Sequence, residues 1–146
     1  MRLLVLVGAV AAGAIAACQT VDLGTPPADL NACRPSQLFF VSDIWPKVLG
    51  ADYSGRHCYD AGCHDAGSAR PLMLVPPPAS DPGAVPLMGT WAADYISAAE
   101  QMNCSNAAAS NLLALPTGVR THGGGMVFAP GSPQALAIQM WPSVQP

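Results

Sequence analysis

Fourteen glycines and fifteen prolines punctuate this chain of 146 residues, and they set what it can build. Proline lacks a backbone N–H and obstructs the helical turn before it, while glycine loses the most entropy when fixed in a helix or strand. Regular elements must therefore be short, with long loops between them. Only 10% of the residues are charged, so ion pairs on helix surfaces add little support. The length suits one domain. The net charge is −3 and no basic cluster occurs. That argues against nucleic acid as a partner, because phosphate binding needs grouped Lys and Arg.

The first residues follow a different grammar. Met1 and Arg2 precede an unbroken run of Leu, Val, Ala and Gly over 3–14, and Ile15, Ala16 and Ala17 lead to Cys18. This pattern reads as a secretion signal. The run is shorter than the ~20 apolar residues that span a bilayer. Ile15-Ala16-Ala17-Cys18 also resembles a bacterial lipoprotein box, which implies cleavage before Cys18 and lipidation of that cysteine. The expected organisation is a signal peptide at 1–17, a Pro- and Asn-containing tether at 18–34, and a folded domain at 35–146. The expected location is the bacterial cell envelope, exported and held on a membrane by the lipid. Thiols in such a compartment are usually oxidised or otherwise engaged. Four cysteines then need an account: Cys33, Cys58, Cys63 and Cys104.

Apolar spacing predicts a mostly α-helical domain. Residues 36–50 carry Leu38, Phe39, Val41, Ile44, Trp45, Val48 and Leu49 on a broad helical face. Ser42 is expected to cap the part beginning at Asp43, with Pro46 in its first turn and Gly50 as its stop. Residues 70–75 form a short apolar run, and a proline-rich loop reaches Pro86. The stretch 90–102 reads as a helix with Thr90 as cap and Trp91, Tyr95, Ala98 and Met102 as a core stripe. A short helix over 106–115, a loop over 118–131 and a last helix opened by Ser132-Pro133 complete the chain.

The chemistry concentrates in Cys58-Tyr59-Asp60-Ala61-Gly62-Cys63-His64. Covalent haem attachment needs two thiols for the two vinyl groups and a histidine beside the second thiol, the C-x-x-C-H pattern. Here Cys63 and His64 are adjacent, and only the loop between the thiols is longer. Gly62 offers backbone angles that a tight loop demands. Asp60 and Asp65 flank the motif and are read as solvated; His57 has no role beyond the loop. Two other readings of the residues stay open. Cys58 and Cys63 can belong to separate disulfides beside an unrelated histidine. Cys58, Cys63, His64 and His122 also make a Cys2His2 set for zinc, although adjacent ligands rarely reach one tetrahedral ion.

The chain resembles a c-type cytochrome domain with C-x4-C-H spacing, in particular the planctomycete-type cytochrome c-like group. The resemblance rests on the order of Ile44-Trp45-Pro46, Gly62-Cys63-His64, Leu72-Met73-Leu74, the serine–leucine segment at 110–115, His122-Gly123-Gly124-Gly125 and Trp141. It covers about residues 40–142. It implies covalent haem c, with Cys58 and Cys63 as thioether attachment points and His64 as the proximal iron ligand. For the distal ligand it offers His122 first, then Met126, then Met88. Cys33 and Cys104 are then left to pair as a disulfide, as thiols of an exported protein do. The implied function is electron transfer to a redox partner protein. No catalytic constellation is visible: Gly123-Gly124-Gly125 lacks the lysine and the strand–helix frame of a phosphate loop. The alternative is a cofactor-free, disulfide-stapled envelope lipoprotein that serves as a binding or structural module.

Overall fold

The computed structural model describes residues 33–76 and 89–144. The predicted signal peptide, Cys18, most of the tether, Met88 and most of the proline-rich loop lie outside the described residues. Among the described residues all regular structure is helical, apart from one isolated bridge between Asp65 and Leu74. The domain is a small mostly-α fold, as the apolar spacing predicts. No described helix is long and apolar enough to cross a membrane.

The first helix begins as α1 (Gln37–Phe39) and widens into a π-helix (Phe40–Leu49). Ser36, not Ser42, is its cap: the Ser36 hydroxyl accepts from the Phe39 N–H at 3.3 Å. Ser42 instead bonds to Asp43, which also pairs with Lys47. The helix therefore runs straight through Pro46. In an α-helix the ring of Pro46 would press on the Ser42 carbonyl. The wider π turn removes that conflict, and Gly50 N–H closes the segment on the Trp45 carbonyl five residues back at 2.7 Å.

Helix α2 (Thr90–Ala99) starts one residue earlier than a Thr90 cap implies, with Gly89 in the cap position. Tyr95 and Ala98 are buried, and Trp91 and Met102 pack at the edge of the core. The predicted stripe is a packing stripe. A 3-10 turn (Ala107–Ala109) and α3 (Asn111–Ala114) divide at the extended Ser110. Helix α4 (Pro133–Met140) opens as its sequence predicts: Ser132 Oγ accepts from Ala135 N–H at 3.2 Å, and Pro133 occupies the first turn. A 3-10 turn (Trp141–Ser143) ends it.

Phe40 lies at the centre of the core. It stacks on Trp141 at 5.6 Å and meets Tyr95 edge-on at 5.7 Å. The polar tips of these neighbours also find partners. Tyr95 O–H donates to the Pro35 carbonyl at 2.8 Å, and Trp141 N–H donates to the Ser36 carbonyl at 2.9 Å. Two residues far along the chain thus tie down the segment that starts the fold. Cys33 is bonded to Cys104, 71 residues away, as the leftover-cysteine argument expects.

Asp94 on α2 is fully buried. One oxygen accepts from Val75 N–H at 2.8 Å, and the other has no partner among the described residues. Burial pushes this carboxyl up to about 6 from 3.8, although the Val75 N–H pulls it back. Between those values the folded protein keeps a proton that the unfolded chain releases. The stability from Asp94 is therefore full below pH 3.8 and lost as pH rises through about 6.

Two expectations test this architecture. Replacing Cys33 and Cys104 together by Ala should cost about 2–5 kcal/mol in denaturant unfolding, because a long loop is released in the unfolded chain. Asp94→Asn keeps the acceptor for Val75 and removes the charge. It should be more stable than wild type at pH 7, with the gain shrinking toward pH 4 in the same unfolding assay.

Candidate functional site

The motif at 58–64 folds into a compact double turn. Asp60 N–H bonds to the His57 carbonyl at 3.2 Å and Cys63 N–H to the Asp60 carbonyl at 2.9 Å. His64 N–H then closes on the Cys58 carbonyl at 3.1 Å. Gly62 has φ +80°, a left-handed value that side chains with a Cβ rarely adopt. Asp60 and Asp65, read from sequence as solvated, brace this turn. Asp60 accepts from His57 N–H at 2.9 Å, and Asp65 accepts from Gly62 and Gly67 N–H at 2.8 and 3.1 Å. Their position beside glycines and turns was a usable signal, since Asp side chains often bond nearby backbone N–H groups.

His57 stacks on Tyr59, and Tyr59 stacks on Trp45. Cys58 and Cys63 are both free and half-buried. Burial, reinforced by Cys63 and Asp60, pushes the Cys58 thiol up to about 11. Cys58 is therefore a thiol, not a thiolate, at neutral pH, and a poor partner for disulfide exchange.

Cys58 and His64 line a partly open cleft of about 200 Å³. Its walls are mainly apolar: Val48 and Leu49 from the π-helix, Leu72 from the extended run, Leu112 and Leu115 at α3, and Phe128. His122 lines the opposite loop, and Arg120 and Gln101 add polar groups. Arg120 is held by the side-chain oxygen of Asn111. Sequence reasoning missed Arg120 and the Tyr53–Phe128 ring pair that supports the cleft floor, because both depend on chain segments meeting from far apart.

The two histidines are neighbours. Their ring centres are 5.9 Å apart and their planes differ by 8°. Each imidazole is oriented by a backbone carbonyl. His64 Nδ1 lies 3.0 Å from the Leu72 carbonyl, and His122 Nδ1 lies 3.0 Å from the Gly125 carbonyl. A carbonyl cannot donate, so both Nδ1 atoms must carry the proton. In the neutral rings Nε2 then keeps its lone pair, which is the ligating form of histidine. Burial holds the His64 pKa below its ordinary value of 6.5; His122 and Arg70 add to this, and the Leu72 carbonyl opposes it.

The glycines after His122 have a specific use. A Cβ on Gly124 would stand 3.4 Å from His122 Cε1 and 3.5 Å from its Nδ1. That is ordinary van der Waals contact, whereas Gly125, which carries the carbonyl bonded to His122, sits at φ +72°, a left-handed value that favours glycine. Met126 follows four residues later but is 64% exposed and does not line the cleft. The structure brings His122, and not Met126, beside His64. Cys63 also lies outside the cleft lining, one residue from His64.

Among the described residues no group of three or more His, Cys, Asp or Glu side chains is placed to hold a metal ion together. The four-ligand zinc set of Cys58, Cys63, His64 and His122 is therefore not assembled. In comparisons with protein-family models, curated proteins and solved structures, nothing matches this chain.

Gly125→Ala puts a Cβ on a residue at φ +72° and should disturb the turn whose carbonyl bonds His122. The expected result is a shifted His122 ring signal by NMR. An unchanged ring signal would show that the ring does not rely on this turn.

Proposed function

We propose that the chain is an exported, lipid-anchored single-haem electron carrier of the c type, in which His64 and His122 would hold the iron. The observation that carries this reading is the histidine pair. Two imidazoles, each with an Nδ1 proton held by a carbonyl, line an apolar cleft. The two rings lie 5.9 Å apart and nearly parallel, so both would be within reach of a group bound in this cleft. A zinc site asks for three or four protein ligands. A haem asks for two, because the porphyrin supplies the rest, and two is what the loops offer.

Of the two motif cysteines, Cys58 lines the cleft as a protonated thiol and is brought back to His64 by the turn, while Cys63 lies outside the lining, so Cys58 is the better placed of the two attachment points. Val48, Leu49, Leu72 and Leu112 exclude water from the side of His64. When bound, haem supplies an iron that takes up and releases one electron. The chain's part would be to orient His64 and His122 and to leave one side of the cleft open to a redox partner protein. Two histidine ligands favour a lower reduction potential than a His/Met pair, other things equal. The lipid on Cys18 would keep this exchange at a membrane of the cell envelope.

Coexpression with cytochrome c maturation factors tests the proposal. The expected product has a Soret band and haem that stays with the chain on a denaturing gel. His122→Ala should shift the spectrum away from a six-coordinate bis-histidine form, whereas Met126→Leu should leave it unchanged. Absence of covalent haem under conditions that mature a control cytochrome overturns the reading and favours the cofactor-free stapled module.

A further inference from the structure

The extended run 72–75 is bonded along both of its edges. On one edge it meets the motif: Leu74 N–H donates to the His64 carbonyl at 2.7 Å, and the Leu72 carbonyl accepts from His64 Nδ1 at 3.0 Å. On the other edge it meets α2. Met73 N–H donates to Ser97 Oγ at 2.7 Å, and Val75 N–H donates to Asp94 Oδ1 at 2.8 Å. Asp94 and Ser97 are three residues apart, so one helix face presents both acceptors. Met73 and Val75 are two apart, the period of an extended chain, so both N–H groups point to that face. Leu74, between them, is almost wholly buried at 1% exposure. The run is pinned at three successive residues.

A buried carboxylate with one unpartnered oxygen is costly. Its visible effect here is geometric. The carbonyl that sets the His64 tautomer belongs to Leu72, one residue before the first pinned amide. We propose that Asp94 and Ser97 are positioning residues: through Met73 and Val75 they hold the Leu72 carbonyl in place, and so fix the tautomer and orientation of His64. This rests on His64 being the ligating histidine of the reading above. Neither residue touches the cleft. Partners of this outer kind commonly set ligand basicity, and with it the behaviour of the metal.

The experiment compares wild type with Ser97→Ala, Asp94→Ala, the conservative Asp94→Asn, and Ser132→Ala. The last removes the cap of α4, remote from His64, and controls for general destabilisation. Nitrogen-15 NMR of the full chain without haem reads the tautomer directly. Wild type, Asp94→Asn and Ser132→Ala are expected to show His64 as the Nδ1–H form alone, and Ser97→Ala and Asp94→Ala a mixture of tautomers. In the haem-loaded protein a loosened Leu72 carbonyl makes the imidazole less basic and favours the reduced iron. Ser97→Ala should raise the reduction equilibrium constant by up to about tenfold, equivalent to about 59 mV for one electron. Ser132→Ala should lower the melting temperature without that change. A pure Nδ1–H tautomer and an unchanged potential in Ser97→Ala and Asp94→Ala overturn the proposal. If Asp94→Ala does not fold, Ser97→Ala decides. If no haem attaches, the electron-carrier reading falls, and the tautomer measurement still decides the clamp.

Discussion

The fold depends on the contact of Phe40 with Trp141 and Tyr95. It joins the π-helix to α2 and to the end of α4, elements that loops carry far apart in sequence. Such rings bury large apolar areas and gain a further 0.5–1.5 kcal/mol or so from ring geometry. The same two partners bond the carbonyls of Pro35 and Ser36, so the entry to the first helix is held by residues 60 and 105 positions later. The Cys33–Cys104 bond acts at the same end of the molecule. A chain rich in proline and glycine gets little from regular backbone bonding. It relies on a few long-range ties of high value.

The site grows from the opposite side of this framework. The π-helix sends Phe40 and Ile44 inward to the aromatic core and presents Val48 and Leu49 to the cleft. Pro46 widens the turns between them, so one short element serves both surfaces. Tyr53 continues the connection: its hydroxyl donates to the Val48 carbonyl at 2.8 Å, and its ring lies against Phe128. The loop from His122 to Phe128 is anchored by Val127 N–H on the Pro116 carbonyl at 2.7 Å. Most of the cleft wall is not regular structure, and these long-range bonds hold its segments against one another.

Much of the domain was legible from local signals. Ser132-Pro133 opened a helix because a serine oxygen reaches an orphan N–H and proline lacks one. The stripe Tyr95 and Ala98 faced the core because helical spacing puts those positions on one side. The paired leftover cysteines followed from the compartment that the leader implies. The errors have physical causes as well. Ser42 looked like a cap because Pro46 appeared to forbid a longer helix; a π turn removes the objection. The reading of Asp60 and Asp65 as solvated needs only an addition: both stay partly exposed, and their oxygens also accept from turn amides.

By itself the sequence determined the short helices and the Ser132 cap, since each follows from interactions within a few residues. It also offered His122, Met126 and Met88 as candidates for a second iron ligand. Of the two that are described, only the tertiary structure places His122 in the cleft lining and Met126 outside it, because that depends on how the loop after α3 folds back on Pro116. The protonation pattern of His64 was likewise beyond local reading. It is set by a carbonyl eight residues away, in a run whose amides bond to α2 residues 19 and 24 positions farther along the chain.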